Sequence, residues 1–145
     1  MDIRPATPDD FDAVTRLLEH LGRPTVTPRT RSEVRDIYCE QLEDPNSEHL
    51  VAVTPRGRVV AFCSLHFRSR LNNIDPQAWI PDLIVDEHDR GRGVARALLG
   101  EAERRARERG CTDLTLESGN ARKEAHLLYV GAGMQETGKT FHKRL

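Results

Sequence analysis

The spacing of apolar side chains changes several times along the chain, and each change marks an element. Residues 2–6 predict a short strand. Thr7-Pro8-Asp9-Asp10 then offers an N-cap, a proline at the first helical position and two acids at the positive end of a helix dipole. Phe11, Val14, Leu17, Leu18 and Leu21 follow at helical spacing, and Gly22 stops that helix. After a proline-bearing loop over Gly22–Pro28, a second helix is expected from Thr30 to Leu42, ending before Asp44-Pro45-Asn46. From His49 the period becomes that of strands. Leu50–Val53 and Val59–Leu65 flank Thr54-Pro55-Arg56-Gly57, the pattern of a hairpin.

A polar stretch from Arg68 to Gln77 leads to one further strand, Trp79–Val85. Val94–Arg109 predicts a long helix with Val94, Ala95, Leu98, Leu99, Ala102 and Ala106 on one face, closed by arginines and Gly110. Leu114–Leu116 reads as a short strand and Arg122–Val130 as a short helix. Met134–Leu145 is expected to supply one or two closing strands. The order β-α-α-β-β-β-α-β-α-β calls for an α/β fold, a central mixed sheet with helices on both faces. The unit from Trp79 to Glu117 should make a right-handed parallel crossover.

Composition narrows the class. A chain of 145 residues suits a single domain, 1–145, with its own core. Its net charge of -1 gives no general attraction to nucleic acid or an anionic membrane. No apolar run approaches the roughly 20 residues of a membrane span, and the first residues lack a secretory apolar region. Cys39, Cys63 and Cys111 are odd in number and far apart, which argues against a disulfide framework or a metal site and for reduced thiols. These features predict a cytoplasmic globular protein and leave a homodimer open.

The chemistry is concentrated where the strand ending Asp82-Leu83-Ile84-Val85 meets the long helix through Arg90-Gly91-Arg92-Gly93-Val94-Ala95. Glycines let a backbone approach a ligand closely, and the free N–H groups of a first helical turn suit a diphosphate. Arg90 and Arg92 add charge. The nucleoside triphosphate loop is ruled out, because Arg96 and Ala97 occupy the places of its Gly-Lys. The dinucleotide fingerprint fails at its third glycine, which is Arg96 here.

Arg90–Ala95 resembles the acetyl-CoA signature of the GNAT N-acetyltransferases, a strand followed by Arg or Gln, two variable residues, Gly, a variable residue, then Gly or Ala. The element order agrees over essentially the whole chain. The resemblance implies acetyl-CoA as co-substrate and a small-molecule amine as acceptor. It implies that the loop amides hold the pyrophosphate and that the strand carrying Leu83, Ile84 and Val85 splays to admit pantetheine. The family's second motif is matched by Ala125, Tyr129 and Gly133, with Met134 in the place of an aromatic residue. It implies Tyr129 as the acid that protonates the leaving thiolate. Arg122 stands where the family often has asparagine, with Asn120 two residues earlier. Arg122 is also a candidate for the 3′-phosphate. The branch most resembled is that of aminoalkylphosphonate N-acetyltransferases, through Arg4–Thr7, Leu65-His66, Asp82–Val85, Ala125-His126 and Phe141–Leu145.

Acetyl transfer also needs a neutral amine and an oxyanion donor. Asp82, an acid inside an apolar strand, is the first candidate base. Asp86, His66 and His126 are alternatives. The backbone N–H of Ile84 or Val85 is the expected oxyanion donor. His66 and Arg68 are candidate substrate contacts, and with Arg70, Arg23, Arg29, Arg31 and Arg35 they favour an amine that carries an acid. Two other classes compete: a non-catalytic acetyl-CoA sensor, which would need neither Tyr129 nor Asp82, and a nucleic-acid module, which the balancing acids and few aromatics disfavour.

Overall fold

A computed structural model describes residues 1–118 and 122–145. Its elements run β1 (Asp2–Pro5), α1 (Phe11–Leu21), α2 (Arg31–Glu43), β2 (Ser47–Val53), β3 (Val59–Arg68), β4 (Gln77–Ile80), β5 (Leu83–Val85), α3 (Val94–Glu108), β6 (Asp113–Leu116) and α4 (Lys123–Gly131). Short 3-10 turns at Pro8–Asp10 and Glu87–Asp89 lead into α1 and toward α3. The sheet is mixed, in the order β1-β2-β3-β4-β6, with β5 joined to β3. Among the described residues only the β4–β6 pairing is parallel, as the crossover through α3 requires.

Alternation along the strands divides the core between two faces. Val51, Val53, Phe62 and Ile84 pack under α1 and α2, against Phe11, Val14, Leu17 and Tyr38. Leu50, Ala52, Cys63, Leu65, Leu83 and Val85 pack under α3 and α4, against Leu98, Leu99, Ala102 and Tyr129. Each large apolar side chain taken fully out of water contributes about 1.5–3 kcal/mol. The entry to α1 is fixed by charge. Asp10 accepts two hydrogen bonds from the Arg4 guanidinium, at 2.7 and 3.0 Å, and one from the Thr7 N–H at 2.8 Å. At the other end, Gly22 takes φ 103°, and its N–H closes on the carbonyls of Leu18 and Glu19.

Two expectations about strands are corrected. The stretch Trp79–Val85 is two strands, not one. His66 pairs with Trp79 while Cys63 pairs with Leu83, so one strand takes three steps where the other takes four. The extra residue forms a bulge at Pro81-Asp82. Ser64 closes it: its N–H donates to the Asp82 carbonyl (2.9 Å), and its hydroxyl accepts from the Asp82 N–H (3.0 Å) and donates to Asp82 Oδ2 (3.1 Å). The second correction concerns the C-terminal segment, which forms no strand among the described residues. Met134 packs against the core, but residues 135–145 are all exposed. Gln135 to Thr140 offers no apolar side chain to bury, and Gly138 weakens any strand there.

His49 on β2 supplies a test of the packing. It is 5% exposed, stacked on Phe62 at 5.8 Å and edge-on to His66 at 5.5 Å, and neither ring nitrogen has a partner among the described residues. Burial pushes its pKa down to about 4. In the unfolded chain the ring titrates near its ordinary value of about 6.5, so the unfolded state takes up the proton first. The stability due to neutral His49 is therefore complete above about pH 6.5 and is lost as pH falls toward 4. Urea midpoints should drop between pH 7.5 and 4.5, and His49→Phe should flatten part of that drop. An equal drop in the variant would remove His49 as its cause.

Candidate functional site

β6 pairs with β4 over Gln77–Ile80, whereas β5, past the bulge, pairs with β3 alone among the described residues. The sheet therefore opens between β5 and β6. A cleft of about 770 Å³ occupies this region, walled by Leu83, Ile84 and Val85 of β5, the Arg90–Arg96 turn, Leu21 of α1 and Tyr129 of α4. The splay expected of this strand is present.

The ladder also settles which amides face the gap. Ser64 N–H bonds to Asp82 C=O and Asp86 N–H to Val60 C=O, so the even-numbered residues of β5 turn their polar groups to β3. By alternation the Leu83 and Val85 N–H groups face away from β3, toward the opening. Of the two expected oxyanion donors, Val85 has this direction and Ile84 does not.

The turn into α3 is built for close approach. Gly91 and Gly93 have φ of 73° and 80°, a conformation that favours glycine, and Gly93 is the N-cap. A Cβ placed on either would meet no heavy atom within 4 Å, so ligand atoms can come directly to the backbone. With no capping side chain, the amides of Val94 and Ala95 have no intrahelical acceptor. Asp89, 3% exposed, holds the turn: Arg58 donates to it at 2.8 Å, and Arg92 lies 3.6 Å away. Arg90 lines the cleft and donates from Nε to the Val85 carbonyl at 3.2 Å. Arg92 is not on the cleft wall. It turns instead toward Asp89.

A second cavity of about 200 Å³ continues past the first, sharing Leu21, Leu83, Arg122 and Tyr129 with it. Its other walls include Arg23, Pro81, Leu116, Glu117 and Ser118. Tyr129 is 8% exposed and stands at the junction. Burial raises its pKa, and the nearby Arg122 charge pulls the other way. Arg122 is the N-cap of α4 and lines both cavities together with Tyr129.

The candidate bases are placed unequally. Asp82 is engaged by Arg23, whose Nε and Nη2 donate to Oδ1 at 2.9 and 2.6 Å, and by the Ser64 hydroxyl on Oδ2. Asp86 accepts from the His88 N–H and lies 3.9 Å from Arg58, at the opposite end of β5. His66 is 3.0 Å from Ser47 Oγ and 5.7 Å from the Trp79 ring. Arg68 donates to Gln77 at 2.8 Å and sits over Trp79 at 4.7 Å. Neither His66, Arg68 nor His126 lines either cavity. Asn120 lies outside the described residues. Sequence reasoning did not single out Glu117, which lines the smaller cavity. The signal was its period-two spacing with Thr115, which sets it on the opposite face from Leu114 and Leu116.

The comparisons with known proteins agree with this geometry. The acetyltransferase (GNAT) family model matches residues 14–134. An aminoalkylphosphonate N-acetyltransferase of Salmonella typhimurium is 30% identical over 99% of this chain and 91% of its own length. An aminoglycoside N(6')-acetyltransferase of Stenotrophomonas maltophilia is 27% identical over 99% and 92%. A solved chain from Agrobacterium tumefaciens str. C58, provisionally named an acetyltransferase, has a TM-score of 0.87 at 26% identity and covers 100% of both chains. With loop, opened sheet and tyrosine all in place, the chain belongs to the acetyltransferase (GNAT) family and is an N-acetyltransferase that takes its acetyl group from acetyl-CoA.

Proposed function

We propose that this protein acetylates a primary amine that also carries an acidic group, of the aminoalkylphosphonate kind, by direct attack on the thioester. The observation that carries the reading is the pair of cavities meeting at Tyr129, with Arg23 and Arg122 on the walls of the smaller one. In this reading the amides of the Gly91–Ala95 turn and the Arg90 guanidinium hold the diphosphate, and β5 lies along pantetheine. The acceptor enters the smaller cavity. Val85 N–H steadies the oxyanion, and the Tyr129 phenol protonates the departing sulfur. Asp82 can meet the amine only by releasing Arg23.

The acid group of the acceptor follows from charge. Two guanidiniums on the walls of a cavity of about 200 Å³ fit a phosphonate or carboxylate. A polycationic acceptor would need more than the one carboxylate those walls hold. The Salmonella relative, named for aminoalkylphosphonates and similar over nearly the full length of both chains, supports the same choice.

Gly93→Glu should abolish acetyl-CoA binding, because a side chain and a negative charge would stand where the diphosphate lies. Unchanged affinity in calorimetry of the folded variant would refute the loop assignment. Tyr129→Phe should lower kcat about 10²-fold with little change in acetyl-CoA affinity, the lower range for a lost general acid. Wild-type turnover would exclude Tyr129 from the chemistry. In thiol-release assays 2-aminoethylphosphonate should outperform ethylamine, and added salt should narrow the gap. Equal use of both amines would leave the general N-acetyltransferase activity and remove the acidic acceptor.

A further inference from the structure

The carboxylate that faces the acceptor need not be the one on the splayed strand. Asp82 is on the wall of neither cavity, and both of its oxygens are already engaged, Oδ1 by Arg23 and Oδ2 by Ser64. Among the described residues, the smaller cavity has one acid on its wall, Glu117, just past the end of β6. Parallel pairing with β4 puts Leu116 beside Ile80 and so carries Glu117 to the level of the Pro81-Asp82 bulge, across the opening. Glu117 makes no ion pair or hydrogen bond with any described residue, although Arg23 and Arg122 line the same cavity. Tyr129 lies on that wall too, so amine, acid and base would share one small space.

We propose that Glu117 is the catalytic carboxylate that binds the acceptor ammonium and takes its proton, and that Asp82 is a positioning residue that holds Arg23 for the acceptor's acid group. This rests on the acceptor entering the smaller cavity. The ammonium gives one proton to Glu117, which passes it to water. The freed nitrogen attacks the thioester carbon, the C–S bond breaks, and the thiolate takes the Tyr129 proton. The second proton that nitrogen loses restores the phenol. The net products are the N-acetyl amide, free CoA thiol and one proton in solution. A zwitterionic acceptor would thus find its ammonium at Glu117 and its anion at Arg23 and Arg122. Arg23 would be aimed by Asp82, 2.6 Å away, and by the Pro81 carbonyl, 3.2 Å away.

The full chain would be assayed with acetyl-CoA and either 2-aminoethylphosphonate or ethylamine, across pH 6–10. Glu117→Gln should lower kcat about 10²-fold near neutral pH, and the deficit should shrink as pH rises toward the amine's own pKa, where the nitrogen arrives already neutral. Its acetyl-CoA affinity by calorimetry should match the wild type, which establishes that the variant is folded. Glu117→Asp should recover part of the rate. Asp82→Asn should show no such pH-dependent deficit and should raise KM for 2-aminoethylphosphonate about tenfold, the size of a weakened charge contact, with a smaller change for ethylamine. A Glu117→Gln profile that overlays the wild type, or a deficit in Asp82→Asn that likewise closes at high pH, would overturn the assignment. Equal wild-type use of the two amines would overturn only the acidic-acceptor reading, because the Glu117→Gln comparison is also made with ethylamine.

Discussion

Ser64 and Asp82 together make the sheet change partners, and the site depends on that change. A straight strand from Gln77 to Val85 would pair with β6 along its length and leave no opening. The bulge, held through the Ser64 N–H and hydroxyl, lets β4 keep β6 as a neighbour while β5 stays on β3. The Leu83 and Val85 amides are thereby left facing a gap. Unpaired strand amides are normally a liability, but at a splay they can receive an extended, amide-bearing ligand arm as a further strand would.

Charge then orders the two ends of the opening. At the end beside the glycine turn, buried Asp89 draws in Arg58 and Arg92 and sets the turn, with open space against the backbone of Gly91 and Gly93. At the end beside the smaller cavity, Asp82 fastens the loop after α1 to the sheet through Arg23. The same carboxylate thus joins the bulge, by way of Ser64, to the wall of the smaller cavity. Backbone geometry that opens the cleft and side-chain geometry that furnishes it are coupled at one residue.

Elements governed by their own residues were legible in the sequence. Gly22 ends α1, Thr54–Gly57 turns the hairpin, and the Arg90–Ala95 signature opens α3. Tyr129, on the wall of both cavities, was singled out by a motif whose residues lie close together in the chain, Ala125 to Gly133. What depended on distant partners was not. The break at Pro81-Asp82 requires Ser64, eighteen residues earlier, and a strand of apolar residues reads as continuous without it. Glu117 shows in sequence only as a polar residue after a strand. Its place opposite the bulge comes from the parallel register of β4 and β6. His66 and Arg68 were drawn to the site by residue type, yet Trp79, Ser47 and Gln77 hold them outside it. The C-terminal segment looked like strand by position in the chain, and its polar composition gave it nothing to bury.

The central claim is that donor and acceptor occupy adjoining cavities at once and react directly across Tyr129. Initial-velocity kinetics, with acetyl-CoA varied at several fixed amine concentrations, test it most directly. Double-reciprocal lines that intersect are the predicted result, because a complex of both substrates must form before any thiol is released. Parallel lines, with thiol released from acetyl-CoA before amine is added, would show an acetylated enzyme and contradict the account.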